Sequence, residues 1–473
     1  MQKKFVQMSL YDTYNDVTSV MEKDKSGFLN LLEEHIDFGK MIPIEFYQAF
    51  HRWFGRPRKS SLESYVRFCV FQKIIGISND KTLLTLLKIC AELRSFCGFD
   101  SIPHASQITR FKQDFVVYIK KMFDNLVELT EPICREIDAK KADYLIYDPT
   151  GIEANVAENN PKFLNAKLTQ AKKMSGKNPN MSVHSLAYSL MPETSKANPF
   201  VKQQYINGHF CYAHKVGILA NGLGIVRDIS FFDDIFKRQH PEVVSQKTDN
   251  PALDKEIGDS VSLRPVLTDF FKAHPSFSYN TFLGDSSFDS YATYTMLRDE
   301  FHFERMAIPL NKRNSGNSNA EYNENGTPVC PLDKTPMIFL GKSGGKNRSV
   351  RYKYVCHKSV PSGSKRVCLC QHPCTDSLYG KCVYTYPDKN LRLYPGIARG
   401  TAHFSNLYKH RVLIERSIGL LKDPFCGAYR KSFSPRTAKA DLLFAGVTQL
   451  IGVLLANALH QRHLYKSIRK LIA

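Results

Sequence analysis

From Ser61 to Ile77 apolar residues recur at helical spacing, with Leu62, Val66, Cys69, Phe71 and Ile74 set among polar neighbours. Asn79 and Asp80 then open a second helix, Lys81 to Phe96, and Ser106 stands as the N-cap of a third, Gln107 to Ile137. Residues 1–140 therefore read as an all-helical domain. Arg52, Arg56, Arg58 and Lys59 suit a DNA-binding module, although a plain bundle would show the same periodicity.

The pattern changes at Asp143. Tyr144-Leu145-Ile146-Tyr147 is a short apolar run that predicts a buried strand with Asp148 at its exit. Two strand-like runs, Phe210 to Leu219 and Gly224 to Phe231, flank Asn221-Gly222, a hairpin-turn signal. A helix near Pro265 to Ala273 precedes a strand, Tyr279 to Gly284, which exits at Asp285. A helix, Ser287 to Glu300, and a strand, His302 to Pro309, complete the series. This order predicts an α/β fold, a mixed sheet flanked by helices. Binding sites in open α/β sheets gather at strand ends, where Asp148 and Asp285 fall. Either one taken singly could equally cap a turn.

A helix predicted over Ser405 to Asp423 carries two stripes. Leu407, Ile414, Ile418 and Leu421 form the apolar one. Tyr408, Arg411, Glu415 and Lys422 lie within roughly 60° of one another beside it. Glu415 thus falls at the edge of the core, where it can meet the strand-exit carboxylates. Three converging carboxylates need a hard divalent cation, and Mg²⁺ or Mn²⁺ suits an all-oxygen set. Two such ions about 4 Å apart can serve in-line phosphodiester chemistry. Arg411 can grip a phosphate, Lys422 can add a point charge and Tyr408 can stack on a base.

Charge agrees with that chemistry. The 473 residues carry 65 Lys and Arg against 45 Asp and Glu, a net +20, which favours a polyanionic partner. Apolar residues are 43% of the chain, so its bulk is globular. Met1 to Val17 has no apolar signal core. Leu442 to Leu459 is borderline in length for a membrane span but reads better as a buried core helix. A cytoplasmic, nucleoid-associated protein is expected.

The motifs resemble those of bacterial insertion-sequence transposases with a DDE triad. Tyr408-x2-Arg411-x3-Glu415-x6-Lys422 is similar to that group's Glu-helix signature. Asp148-Pro-Thr-Gly-Ile-Glu-Ala-Asn and Gly284-Asp285-Ser-Ser-Phe-Asp-Ser resemble its two Asp motifs. Residues 45–125, with Ser106-Gln-Ile-Thr-Arg-Phe, are similar to its amino-terminal domain. The resemblance implies an RNase H-like core, with Asp148, Asp285 and Glu415 as catalytic metal ligands. It implies cleavage at transposon ends and attack of the freed 3′-hydroxyl on target DNA, in some members through a hairpin. Tyr408, Arg411 and Lys422 would handle the DNA. The expected partners are double-stranded terminal inverted repeats and target DNA, met by a homodimer. Asp143 and Asp289 are rival carboxylates; the first precedes its strand, and the second lies a turn past its strand exit. An inactive DNA-binding descendant and a nuclease without strand transfer are the alternatives.

Asp285 and Glu415 lie 130 positions apart (415 − 285), too far for a simple crossover. Residues 313–400 therefore read as an insertion, between core segments 141–312 and 401–473. From Cys330 to Gly400 it holds 13 Lys or Arg against 3 Asp and no Glu. Six of the chain's 12 cysteines crowd there. Cys356, Cys368, Cys370, Cys374 and Cys382, with His357 and His372 nearby, are candidate Zn²⁺ ligands. Their spacing is not a paired C-x2-C, so structural zinc and unliganded thiols both stand.

Overall fold

The computed structural model describes residues 27–51, 58–175, 182–198, 201–206, 209–243, 257–311, 321–345, 348–386, 389–428 and 434–471. Met1 to Val17, Arg52 and Arg56 lie outside the described residues. The helices used below are α1 (Leu62–Ile75), α2 (Asp80–Ile89), α3 (Ala105–Asp114), α4 (Val116–Ala142), α5 (Asp259–Ala273), α6 (Tyr291–Asp299), α7 (Ala402–Tyr408), α8 (Val412–Lys422) and α9 (Pro435–Ala458).

One unit joins Met1–Ile133 to Leu421–Ala473. Helix α1 starts where Ser61 Oγ accepts from the Ser64 N–H at 3.1 Å, and it stops at Gly76, whose φ of +73° suits glycine. The helix predicted to run to Phe96 breaks at Cys90 (φ −114°, ψ 105°). A separate short helix, Ala91–Cys97, then delivers Phe96 and Cys97 to the core. The third predicted helix also divides, at Phe115, and its cap is His104 rather than Ser106. His104 Nδ1 accepts from the Ser106 N–H while Gln107 Oε1 accepts from the His104 N–H. Aromatic rings fill the centre: Phe46, Phe50, Tyr65, Phe111 and Phe115 are all buried.

Of the C-terminal segment 401–473, expected to complete the sheet domain, the part from Leu421 onward groups with these helices instead. Helix α9 is long and apolar enough to cross a membrane, but 89% of its apolar window is buried. Its Phe444 ring lies 6.4 Å from Phe111, and Gln113 Nε2 donates to Thr437 Oγ1 at 3.2 Å. Asp441 accounts for the fit: it meets Lys73 at 3.0 Å and Lys112 at 2.9 Å, and with Asp80, 2.8 Å from Lys112, it balances two cations that are almost wholly enclosed.

The other unit spans Cys134–Leu420. Its strands are β1 (Tyr144–Glu153), β2 (Lys202–Ile206), β3 (His209–Asn221), β4 (Val226–Phe231), β5 (Thr281–Leu283) and β6 (Arg305–Ala307). They form a six-stranded sheet in the order β2-β3-β1-β5-β6, with β4 also on β3. Strand β1 is antiparallel to β3 and parallel to β5, so the sheet is mixed. Leu145, Tyr147, Leu219 and Phe282 share one core cluster with Leu263, Val266 and Phe270 of α5. The alternate residues of β1, among them Ile146 and Asp148, point to the opposite face.

The β3–β4 turn is longer than Asn221-Gly222 alone suggests. Asn221 Oδ1 accepts from the Leu223 and Ile225 N–H groups, and Gly224 holds the left-handed position at φ +77°. Gly222 is required for closeness: a Cβ there would lie 2.5 Å from the Lys141 carbonyl oxygen.

The insertion builds its own small sheet, β11-β8-β7, from β7 (Ile338–Gly345), β8 (Arg348–Val355) and β11 (Cys382–Thr385). A hairpin of β9 (Ser359–Ser362) and β10 (Lys365–Cys368) projects beside it. Where the insertion ends, buried Arg399 donates to the Ile308 carbonyl at 2.9 Å and to Tyr294 Oη at 2.6 Å. That anchors its end to β6 and α6.

Candidate active site

The strand containing Asp148 does not stop there. It continues through Pro149 to Glu153, because β3 goes on pairing with it, Asp148 opposite Ile218. What ends is its other neighbour. Strand β5 pairs Ile146 with Leu283 and then leaves the sheet, so Asp148 and Asp285 each lie two residues past a matched pair. Asp285 caps the short turn Ser286–Phe288, accepting from the Ser287 N–H at 2.8 Å and the Ser287 hydroxyl at 2.5 Å.

The predicted Glu helix is interrupted at its signature. Helix α7 ends at Tyr408, a 3₁₀ turn covers Lys409–Arg411, and α8 begins at Val412. Arg411 closes that turn facing Asp148 of β1. One of its terminal nitrogens is 3.8 Å from Asp148 Oδ1, and the other donates to Glu415 Oε1 at 2.6 Å. Next to this, the Tyr144 ring meets His410 at 5.5 Å. Lys422 closes the last turn of α8, just past the Leu420/Leu421 boundary between the units.

Electrostatics tie the group together. Burial pushes the Asp148 carboxyl up to about 7; Arg411 opposes the rise, while Asp285, Glu415 and Asp259 add to it. At 3.8 Å the guanidinium only partly offsets the lost hydration. Burial also raises the Tyr408 hydroxyl, and Asp285, Glu415 and Asp148 raise it further. Burial works against the charge on Arg411, but Asp148, Tyr408 and Glu415 hold it protonated. Its Nε is enclosed without a hydrogen-bond partner. Asp148, Asp285, Glu415, Tyr408 and Arg411 thus share one electrostatic site.

Their oxygens are not drawn into a chelating cluster. Among the described residues, the group whose ligand atoms all lie within 4.8 Å of one another is Cys330, Asp333 and His357. At the acidic site the guanidinium of Arg411 bridges Asp148 and Glu415.

The rival carboxylates have structural partners. Asp143 accepts from the Asn280 N–H at 3.2 Å and faces Arg305 at 3.6 Å, just before β1 begins. Asp289 is fully buried, paired with Arg392 at 2.5 Å and accepting from the Asn311 N–H at 2.7 Å. Sequence reasoning missed Asp259, whose charge reaches Asp148 from the first turn of α5 and which pairs with Lys215 at 2.5 Å. Its acidic first-turn position was the available signal.

Of the five candidate zinc ligands, Cys356 and Cys368 flank Gly380 together, while Cys370 and Cys382 have other partners. Cys370 is drawn to the His372 carbonyl at 3.2 Å, and Cys382 to the Gly380 carbonyl at 3.9 Å. Cys330, absent from that set, lies with Asp333 and His357.

Comparison with known proteins gives two findings. Residues 17–114 match a family model described as "Transposase domain (DUF772)". The match covers the helical module and leaves out the acidic site. A solved structure, a piggyBac transposase synaptic complex with hairpin DNA, aligns with 96% of this chain and 80% of its own, at 10% identity and a TM-score of 0.38. A likeness that distant carries no argument about the site. No curated protein matches the chain.

Proposed function

We propose that this chain is a DNA transposase with an RNase H-like core, cutting at insertion-sequence ends and joining the freed 3′-hydroxyl to target DNA. The family match of the helical module supports the class. The observation that carries the chemistry is the matched level of Asp148 and Asp285, with Glu415 linked to Asp148 through Arg411.

Asp148, Asp285 and Glu415 would hold Mg²⁺ or Mn²⁺. Their all-oxygen donor set fits a hard cation. So does Arg411, a cation already lying between two of the three carboxylates. When bound, a pair of divalent ions supplies charge neutralisation for the attacking and leaving oxygens of an in-line displacement. The chain's own residues position the DNA. Arg411 can turn its planar fork from Glu415 to a backbone phosphate. Tyr408 offers a ring for a base near the cleaved end, and Lys422 offers a point charge. The net charge of +20 supports a polyanionic partner, which in this reading is the double-stranded terminal repeats and target DNA, met by a homodimer.

The test is a joining reaction with a pre-cut transposon end, a supercoiled plasmid and Mg²⁺. The wild-type chain should insert the end, and Asp285→Asn should bind it without joining. Degradation without joining would favour a nuclease. Binding without either reaction by the wild type would favour a DNA-binding descendant.

A further inference from the structure

The insertion has little to hold it together. Among the described residues its sheet buries a small cluster, Met337, Tyr352, Tyr354, Cys356, Tyr394 and Ala398, with Phe339, Val350 and Val383 partly buried against it. Beyond that, the hairpin and the loop after it expose Leu369 and Leu378. Small modules with so little apolar core generally rely on a covalent or metal staple.

Such a staple is prefigured at one pole. A tight loop starts at Cys330: its N–H donates to the Thr335 carbonyl at 2.9 Å, and its carbonyl accepts from the Lys334 N–H at 3.0 Å. Lys334 takes a left-handed φ of +59° to close the loop, which sets the Cys330 and Asp333 side chains together. The end of β8 brings His357 to them, with its Nε2 3.2 Å from Asp333 Oδ2. Its Nδ1 is enclosed without a hydrogen-bond partner. Around a tetrahedral zinc ion, neighbouring ligand atoms stand roughly 3.3–3.8 Å apart. The three ligand atoms here, within 4.8 Å of one another, need only a small contraction.

More thiols adjoin them. Cys356 precedes His357 and is buried. Gly380, at φ +86°, passes so close that a Cβ there would lie 3.3 Å from Cys368 Sγ and 3.6 Å from Cys356 Cβ.

We propose that this pole holds one structural Zn²⁺, anchored by Cys330, Asp333 and His357 and completed by a thiolate from the adjoining Cys356 or Cys368. The ion ties the Cys330 loop to the end of β8. Lys358, 3.2 Å from Asp333, offsets part of the ligands' negative charge. The inference rests on the insertion alone and stands or falls apart from the DNA reading.

The test is elemental analysis of the full chain purified from zinc-supplemented medium, with cobalt substitution as a second readout. The expected result is about one zinc per chain and, after exchange, a thiolate-to-cobalt absorption band. Cys330→Ser should lose most of the metal. Cys382→Ser, whose thiol faces the Gly380 carbonyl, should keep it. Circular dichroism of both variants separates loss of metal from loss of fold. A wild-type chain that takes up neither zinc nor cobalt overturns the proposal. So does a folded Cys330→Ser chain with its full zinc content.

Discussion

Asp148 and Asp285 stand at the same level of two neighbouring parallel strands, each two residues beyond the paired Ile146 and Leu283. Only β1 continues past that level, so Asp148 is fixed by the ladder to β3 while Asp285 is fixed by a turn. The two carboxylates therefore approach one site on different supports. Asp289, a short distance further along, has a different environment. It is fully enclosed and paired with Arg392.

That contrast gives the first prediction. Asp285→Asn should leave thermal stability nearly unchanged, because its cap can be remade by the amide oxygen, yet it should abolish Mg²⁺-dependent cleavage. Asp289→Asn should cost about 1–3 kcal/mol, because half-buried Arg392 loses its carboxylate partner. Urea unfolding and a cleavage assay on both variants check the pair of outcomes. Equal destabilisation would mean that Asp285 is structural too.

Arg411 leads to the second. Its guanidinium occupies the space between Asp148 and Glu415. Arg411→Ala should remove a competitor for cations, so Mn²⁺ binding to the DNA-free protein should tighten on the order of tenfold, about 1.4 kcal/mol. Strand joining should fall, since the phosphate grip goes with it. Titration calorimetry measures the first effect. Unchanged or weaker Mn²⁺ binding would show that Arg411 does not guard the site.

The third concerns Asp441. Lys112 is pulled down by burial, but Asp441 and Asp80 more than compensate and raise it above its usual value. A raised lysine contributes stability that is present in full below its unfolded value of about 10.4 and lost as pH climbs through the folded value. The contribution is therefore intact at neutral pH. Asp441→Ala should cost about 3–5 kcal/mol at pH 7, because Lys73 and Lys112 would share too little negative charge. Denaturant unfolding at pH 7 is the measurement, and a loss under about 1 kcal/mol would be too small for a broken buried pair.

Much of this arrangement was legible in the sequence, for physical reasons that differ between elements. The run from Tyr144 to Tyr147 reads as a buried strand because both faces of β1 are covered there. The stripe Tyr408, Arg411 and Glu415 survives a local 3₁₀ turn, because such a turn changes side-chain direction only modestly. The end of the Asp148 strand was not legible, since Pro149 signals a break while the β3 ladder, a non-local partner, overrides it. Breaks at Cys90 and Phe115 were hidden for a similar reason: the apolar period carries across them, and only packing of Phe96 and Phe115 selects the bend. The placement of α9 with the amino-terminal helices depends on Asp441 meeting Lys73 and Lys112. Those contacts span more than three hundred positions, and no local pattern encodes them.

The last prediction concerns the outer face of the insertion sheet. Tyr352 and Tyr354 of β8 turn inward, so Arg351 and Lys353 turn outward. Each meets an aromatic ring: Arg351 lies 4.3 Å from the centre of Tyr384, and Lys353 4.6 Å from that of Tyr379. Cations interleaved with rings suit a nucleic-acid backbone and its unstacked bases. If the chain binds transposon DNA as proposed, this face contributes a sequence-independent contact. Arg351→Ala should then weaken binding about equally for specific and random duplexes and lower the salt slope by about one. Tyr384→Ala should weaken single-stranded DNA more than duplex, by about 1–3 kcal/mol per base lost from stacking. Fluorescence anisotropy across a salt series reads both effects. A salt slope unmoved by Arg351→Ala would take this face out of the DNA path, leaving the tyrosines as packing for their own lysine and arginine neighbours.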